Sequence, residues 1–215
     1  KLILVETVLG HFYREFESHF ENGGIELEIN TDEFFSQEAN CKLGLGSSAS
    51  VCVSLVAAFT SLLTNQSEPN LDDIFALAFK LHREAQGGVG SGVDIAASVY
   101  GGFLEFSPAG NSEALPTVHS LACPSDLHIL PIFTGESAGT IDLVQQVYSF
   151  RDTETKEYER LLDGLRELAA EGGTRFQLGD SQAFLRTVMD YSQGLEALGD
   201  ASNAPIISAV HRQVE

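Results

Sequence analysis

The chain has 215 residues at 23.2 kDa, 43% hydrophobic and 20% charged, so it can bury an apolar core without help from a metal or disulfides, and collagen-like, disordered and mini-protein classes are excluded. Twelve Lys and Arg against 31 Asp and Glu leave a net charge of −19. That field repels nucleic acid and anionic lipid, and a phosphate can bind only where local donors overcome it.

Val5, Val8, Leu9, Phe12, Phe16 and Phe20 recur at helical spacing until Gly23-Gly24, which predicts an amphipathic helix over 5–20. Ile25, Leu27 and Ile29 alternate with Glu26, Glu28 and Asn30, the period-two sign of a half-buried strand, and residues 32–40 read as a polar connection. A Gly-Ser stretch at 44–48 leads into a helix over 49–64 that is apolar all round and belongs in a core. Asn70 is a good N-cap, Asp72 and Asp73 complement the first-turn dipole, and Leu71, Ile74, Phe75, Ala78 and Leu81 form one face. A second glycine-rich turn at 87–92 precedes a short apolar helix over 94–100, which breaks at Gly101-Gly102. Strands are predicted at 103–106 and 127–133. Helices follow over about 140–147, 153–170 and 181–198, with another beginning near Pro205. Residues 153–171, dense in charge, read as a solvated helical face. The change of character sets a domain boundary near 134–150, giving lobes 1–140 and 141–215.

Cys41, Cys52 and Cys123 contain no Cys-x-x-Cys pair and no accompanying zinc-type His spacing, so neither a disulfide framework nor a structural metal is indicated, and a cytoplasmic location fits. The opening Lys-Leu-Ile-Leu-Val-Glu carries no visible targeting signal. Residues 49–63 fall short of the ~20 apolar residues a membrane span needs, so no transmembrane helix is expected.

Lys42-Leu43-Gly44-Leu45-Gly46-Ser47-Ser48-Ala49-Ser50 places two glycines and two hydroxyls directly before a helix. Glycine lets a backbone approach an anion, first-turn N–H groups lack intrahelical partners, and the helix dipole favours negative charge there. The same residues also read as a turn with a serine N-cap. Lys42, one of few cations in an acidic chain, favours the phosphate reading. A Walker loop is absent, and the loose dinucleotide pattern Gly44-x-Gly46-x-x-Ala49 lacks a preceding buried strand.

This segment resembles the second motif of the GHMP small-molecule kinases, whose glycine-serine loop wraps the ATP phosphates. His82-Arg83-Glu84-Ala85-Gln86-Gly87-Gly88-Val89-Gly90-Ser91-Gly92-Val93-Asp94, with Phe133-Thr134-Gly135-Glu136-Ser137-Ala138-Gly139-Thr140, looks most like the phosphomevalonate kinase subgroup. The resemblance implies an α+β fold in two lobes, an N-terminal α/β lobe and a helix-rich C-terminal α+β lobe. It implies phosphoryl transfer from ATP to a small acceptor, phosphomevalonate or alternatively mevalonate, with no nucleic-acid or membrane partner and no oligomeric state set by the pattern. Diphosphomevalonate decarboxylase shares the fold, and a non-catalytic nucleotide or metabolite sensor could retain the loop.

Carried over by residue, the resemblance gives Lys42, Gly44, Leu45, Gly46, Ser47, Ser48 and Ala49 to ATP. Ser91, Gly92, Ser137 and Ala138 go to the acceptor, Asp94 is the catalytic aspartate, and Ser48 is the hydroxyl that reaches Mg2+. Asp94 also reads as a helix N-cap. Glu84 stands one place out of step with the family's magnesium-binding glutamate and also reads as a solvated helix-end acid. His82 reads equally as a helix C-terminal cap or a catalytic group.

The family's first motif, Pro-Gly-Lys-x-x-Leu-x-Gly-Glu, is matched only by Lys1-Leu2-Ile3-Leu4, which makes Lys1 either the motif lysine or an arbitrary first residue. A glycine-rich third motif is not seen after Gly172-Gly173. The expectation is an incomplete chain, with a stretch lost after Leu4 and a tail after Glu215.

Overall fold

The computed structural model describes residues 2–17, 24–88, 90–109, 114–133 and 140–207. The chain divides into two compact units, Lys1–Leu121 and Ala122–Glu215.

The first unit is built on helices α1 (Leu2–Glu15), α2 (Ser47–Thr64), α3 (Leu71–Ala85) and α4 (Val93–Tyr100). Helix α3 shows why the local signals succeed. The Asn70 side chain accepts hydrogen bonds from the Asp72 and Asp73 amides at 2.8 and 3.2 Å, and Ile74, Phe75, Ala78, Phe79, Leu81 and His82 are its buried residues. Those positions pack against Ala49, Cys52, Leu55, Val56 and Phe59 of α2, Leu4, Val8 and Phe12 of α1, and Ile95 and Ala96 of α4. Removing this apolar surface from water supplies most of the drive to fold, at roughly 25 cal/mol per Å2.

Helix α2 spans 18 residues, longer than the sequence suggested, and by length and composition alone it could cross a membrane. Its buried residues are nevertheless part of the core shared with α1, α3 and α4.

Two short antiparallel hairpins complete the unit. Strands β1 (Phe35–Ser36) and β2 (Cys41–Lys42) pair Phe35 with Lys42, and the turn between them uses Asn40 at φ 50°. Strands β3 (Phe103–Ser107) and β4 (Thr117–Leu121) pair Phe103 with Leu121 and Ser107 with Thr117. Neither β1–β2 nor β4 is foreshadowed by an apolar run, since cross-strand pairing rather than burial organises them.

Several sequence expectations are corrected. Helix α1 begins at Leu2, so residues 2–4 are helical, and it runs to Glu15 with a bend at Phe16, while residues 18–20 of the expected helix lie outside the described residues. Residues 25–29 and 127–133 are not strands. Ile25, Leu27 and Ile29 are exposed, as are Ile129, Leu130, Ile132 and Phe133, and neither segment joins a hydrogen-bonded ladder among the described residues. Alternation marks two faces, but a strand forms only where another strand satisfies its N–H and C=O groups. Residues 205–207 are irregular, so the helix expected near Pro205 is not present in that described stretch.

The second unit holds helices α5 (Thr140–Thr153), α6 (Thr155–Gln177) and α7 (Ser181–Ser202). Phe150, Leu165 and Leu198 form its core with flanking Tyr158, Leu161 and Leu195. Small residues let α6 and α7 approach: a Cβ on Gly194 would lie 2.8 Å from the Leu165 side chain. Asp180 caps α7 by accepting from the Ala183 amide at 3.1 Å, and Ser181 donates to Asp126 at 2.6 Å. The charge-dense face of α6 carries the exposed pairs Arg160–Glu157 and Arg166–Asp163.

Candidate functional site

The turn before α2 has a backbone that only glycine adopts easily, with Gly44 at φ 75° and Gly46 at φ 72°. Gly46 is the N-cap of α2, and no side chain caps the amides of the first turn. Ser47 and Ser48 lie inside the helix, so the serine N-cap reading is not how these hydroxyls are used. An anion at this point would meet unpaired N–H groups and the positive end of an 18-residue helix. Leu45 is exposed at the tip of the turn, Ala49 is fully buried, and Lys42 is exposed on β2 at its entrance.

Ser48 turns instead toward α3, where its Oγ lies 3.3 Å from His82 Nε2. The Gln86 amide nitrogen, one turn further along the chain, lies 3.4 Å from the same ring nitrogen. His82 is 3% exposed. Burial lowers its pKa, with the Asp94 carboxylate pulling the other way, so the ring is neutral near physiological pH. It does not cap its helix. The last carbonyls of α3 are met by the backbone amides of Gln86, Gly87 and Gly88, while Arg83 ties down the turn that follows by donating to the Gly88 carbonyl at 2.8 Å, its guanidinium lying over the Phe79 ring.

Asp94 sits in the first turn of α4, half-buried, behind Gly92 at φ 81°. Its Oδ1 accepts from the Ile95 amide at 3.0 Å, and among the described residues no side chain hydrogen-bonds its carboxylate. Its charge is felt by His82 and by Cys52, whose thiol is pushed up to about 12 by burial first and by Asp94 second. A second link joins the two glycine-rich turns. The Ser50 and Ser98 hydroxyls lie 3.4 Å apart, and Ser98 donates to the Asp94 carbonyl at 2.8 Å. Ser91 is exposed, with its hydroxyl accepting from the Val93 amide at 3.4 Å.

Thus Ser48 meets the buried imidazole of His82 directly, and the Asp94 carboxylate acts on the same ring through its charge. Glu84 does not join them: it is two residues from His82 on α3, hence on another face, exposed, and its charge acts on His11 of α1. Lys1, Ser137 and Ala138 lie outside the described residues. No group of three or more His, Cys, Asp or Glu that could hold a metal occurs among the described residues. The donor set near the loop, a hydroxyl with one nearby carboxylate, fits Mg2+ bound chiefly by substrate phosphates and water, which needs only one or two protein oxygens. An apolar cavity of about 220 Å3, lined by Leu2, Leu4, Val5, Ile29, Thr31, Ser47, Ser48 and Val51, opens beside the loop. A larger hollow of about 800 Å3 around Phe150 and Asn203 contains none of the residues selected from the sequence.

Sequence reasoning missed the use of His82. Its position four residues after Ala78 puts it on the buried face of α3, which is the one available signal. The partner Ser48 lies in another helix.

Residues 4–102 match the GHMP kinases N terminal domain, and this part of the chain is a domain of that family. A phosphomevalonate kinase of Aspergillus fumigatus is 45% identical over 78 residues, covering 34% of this chain and 16% of that protein. A mevalonate kinase of Pyrococcus abyssi is 32% identical over 161 residues, 73% of this chain and 45% of that one. A phosphomevalonate kinase of a Streptomyces species is 27% identical over 177 residues, 74% and 46% of the two chains. The chain therefore spans less than half the length of these relatives. In fold it is similar to the Lin0012 protein from Listeria innocua, with a TM-score of 0.77 at 23% identity over 96% of this chain and 62% of that one.

Proposed function

We propose that the chain carries the nucleotide-binding part of a cytoplasmic, ATP-dependent kinase that transfers the γ-phosphoryl group to phosphomevalonate. The observation that carries the reading is the uncapped N-terminus of α2 behind Gly44 and Gly46, with the Ser48 hydroxyl beside His82. Lys42 and the amides at 44–48 hold the triphosphate. Asp94, Ser91 and Gly92 face the acceptor, with Ser137 and Ala138, and Lys1 balances charge near the transferred group. Ser48 would hold Mg2+, which when bound would neutralise phosphate charge and polarise the transferring group, whereas Glu84, the other residue the resemblance offers for the cation, lies on a different face of α3.

A phosphate oxygen of the acceptor attacks the γ-phosphorus, the bond to the bridging oxygen breaks, and ADP leaves. Positioning and charge neutralisation supply most of the catalysis. In the proposed enzyme the lobes are 1–140 and 141–215, a division that falls C-terminal to the break between the compact units at Leu121 and Ala122.

Mevalonate is the second reading, favoured by the similarity to the Pyrococcus mevalonate kinase over most of this chain. ADP release by the complete protein, with each acceptor supplied separately, tests the two. Turnover with phosphomevalonate alone supports the first reading, turnover with mevalonate alone replaces it with the second, and turnover with neither overturns both.

A further inference from the structure

The Ser48 hydroxyl has one proton to place and two lone pairs to offer. We infer that His82 is a positioning residue for Ser48, accepting the hydroxyl proton at Nε2 so that the oxygen's lone pairs face the phosphates and their cation at the mouth of the loop. The inference rests on the kinase reading.

Three observations support it. Gln86 presents an amide nitrogen, which can only donate, 3.4 Å from His82 Nε2. With the ring proton on Nδ1, Nε2 accepts through a single lone pair that the Ser48 hydroxyl at 3.3 Å and the Gln86 amide share. His82 itself is 3% exposed in the packed face of α3, so its ring is held by the core rather than by solvent. Finally, Gly90 leaves the space the glutamine needs: a Cβ there would lie 2.9 Å from Gln86 Oε1. The flexible end of Gln86 could shift to relieve that approach, so it is the backbone at φ 111° that favours glycine at 90. Groups that orient a ligating side chain are worth roughly 10- to 100-fold in affinity or activity.

The test is calorimetric titration of the complete protein with ATP, with and without Mg2+, alongside ADP-release kinetics and a thermal melt for each variant. A glutamine at 82 reaches the place of Nε2, whereas an asparagine reaches only that of Nδ1. His82→Gln should retain MgATP affinity, while His82→Asn and His82→Leu should lose roughly 10- to 100-fold, with a smaller loss for ATP without Mg2+. The loss should appear in the MgATP KM and kcat, not in the acceptor KM. In a Ser48→Ala background His82→Asn should cost nothing further. Wild-type MgATP affinity in folded His82→Asn, or its full loss repeated on top of Ser48→Ala, overturns the inference while leaving the kinase reading intact. A wild-type protein that neither binds MgATP nor releases ADP overturns the kinase reading and the inference with it.

Discussion

The backbone of Gly92 lies against the edge of Phe79, so that a Cβ at position 92 would sit 2.4 Å from two carbons of the ring. This contact fixes the start of α4, and with it Asp94, on the buried side of α3. Gly46 at the start of α2 has a similar left-handed backbone, φ 72° against 81°, but open space where its Cβ would be.

The pair gives a controlled comparison. Gly46→Ala meets only the left-handed backbone penalty, about 1–2 kcal/mol, and Gly92→Ala adds overpacking against Phe79 for a total of roughly 2–4 kcal/mol. Urea unfolding of both variants measures this. Equal losses would show that the Phe79 contact relaxes at no cost. Gly46→Ala should weaken MgATP binding more than its stability loss alone accounts for, because the residue shapes the loop.

Asp94 meets an acceptor whose chemistry decides how much it must do. A phosphate monoester, with a second pKa near about 6, is already largely ionised at neutral pH, so Asp94 orients it rather than deprotonating it. Asp94→Asn should therefore lower kcat by less than the ~10²–10⁴-fold of a full general base. A larger loss with the fold intact would point to a hydroxyl acceptor instead.

Stability should fall on mild acidification. An unfolded histidine titrates near about 6.5, and burial lowers the pKa of both His82 and His11 in the folded protein, opposed by Asp94 at the first and Glu15 at the second. The unfolded chain then binds more protons than the folded one below about pH 6.5. The stability is fully present above that value and declines as pH falls from it through the lowered folded-state values. His82→Gln removes one of the two contributions, so its melting temperature should decline less steeply than wild type between about pH 7 and pH 5. Identical slopes would mean that His82 protonates as easily folded as unfolded.

What could be read from the sequence divides by range. Helix α3 was legible at both ends because Asn70, Asp72, Asp73 and the apolar face act within a few residues of one another. The glycine-serine loop was legible for the same reason. Residues 25–29 misled because their alternation states which side could be buried but not whether a partner strand exists. The Ser48–His82 contact joins residues 34 apart in sequence. It depends on α2 packing against α3. Asp72, read only as a charge near a helix start, also accepts from the Tyr100 hydroxyl at 2.7 Å. That hydroxyl is pushed up to about 12 by burial and then by Asp72. Such a tie between the start of α3 and the end of α4 has no local signature.

The most direct test of the kinase proposal is to follow the phosphorus atoms. The complete protein is incubated with ATP, Mg2+ and phosphomevalonate, and 31P NMR is recorded as the reaction proceeds. The account predicts loss of the acceptor's phosphomonoester signal, growth of a coupled pair from a new diphosphate, and ADP in equal amount. An unchanged phosphomonoester beside intact ATP, or a new phosphomonoester formed only when mevalonate is supplied instead, would contradict it.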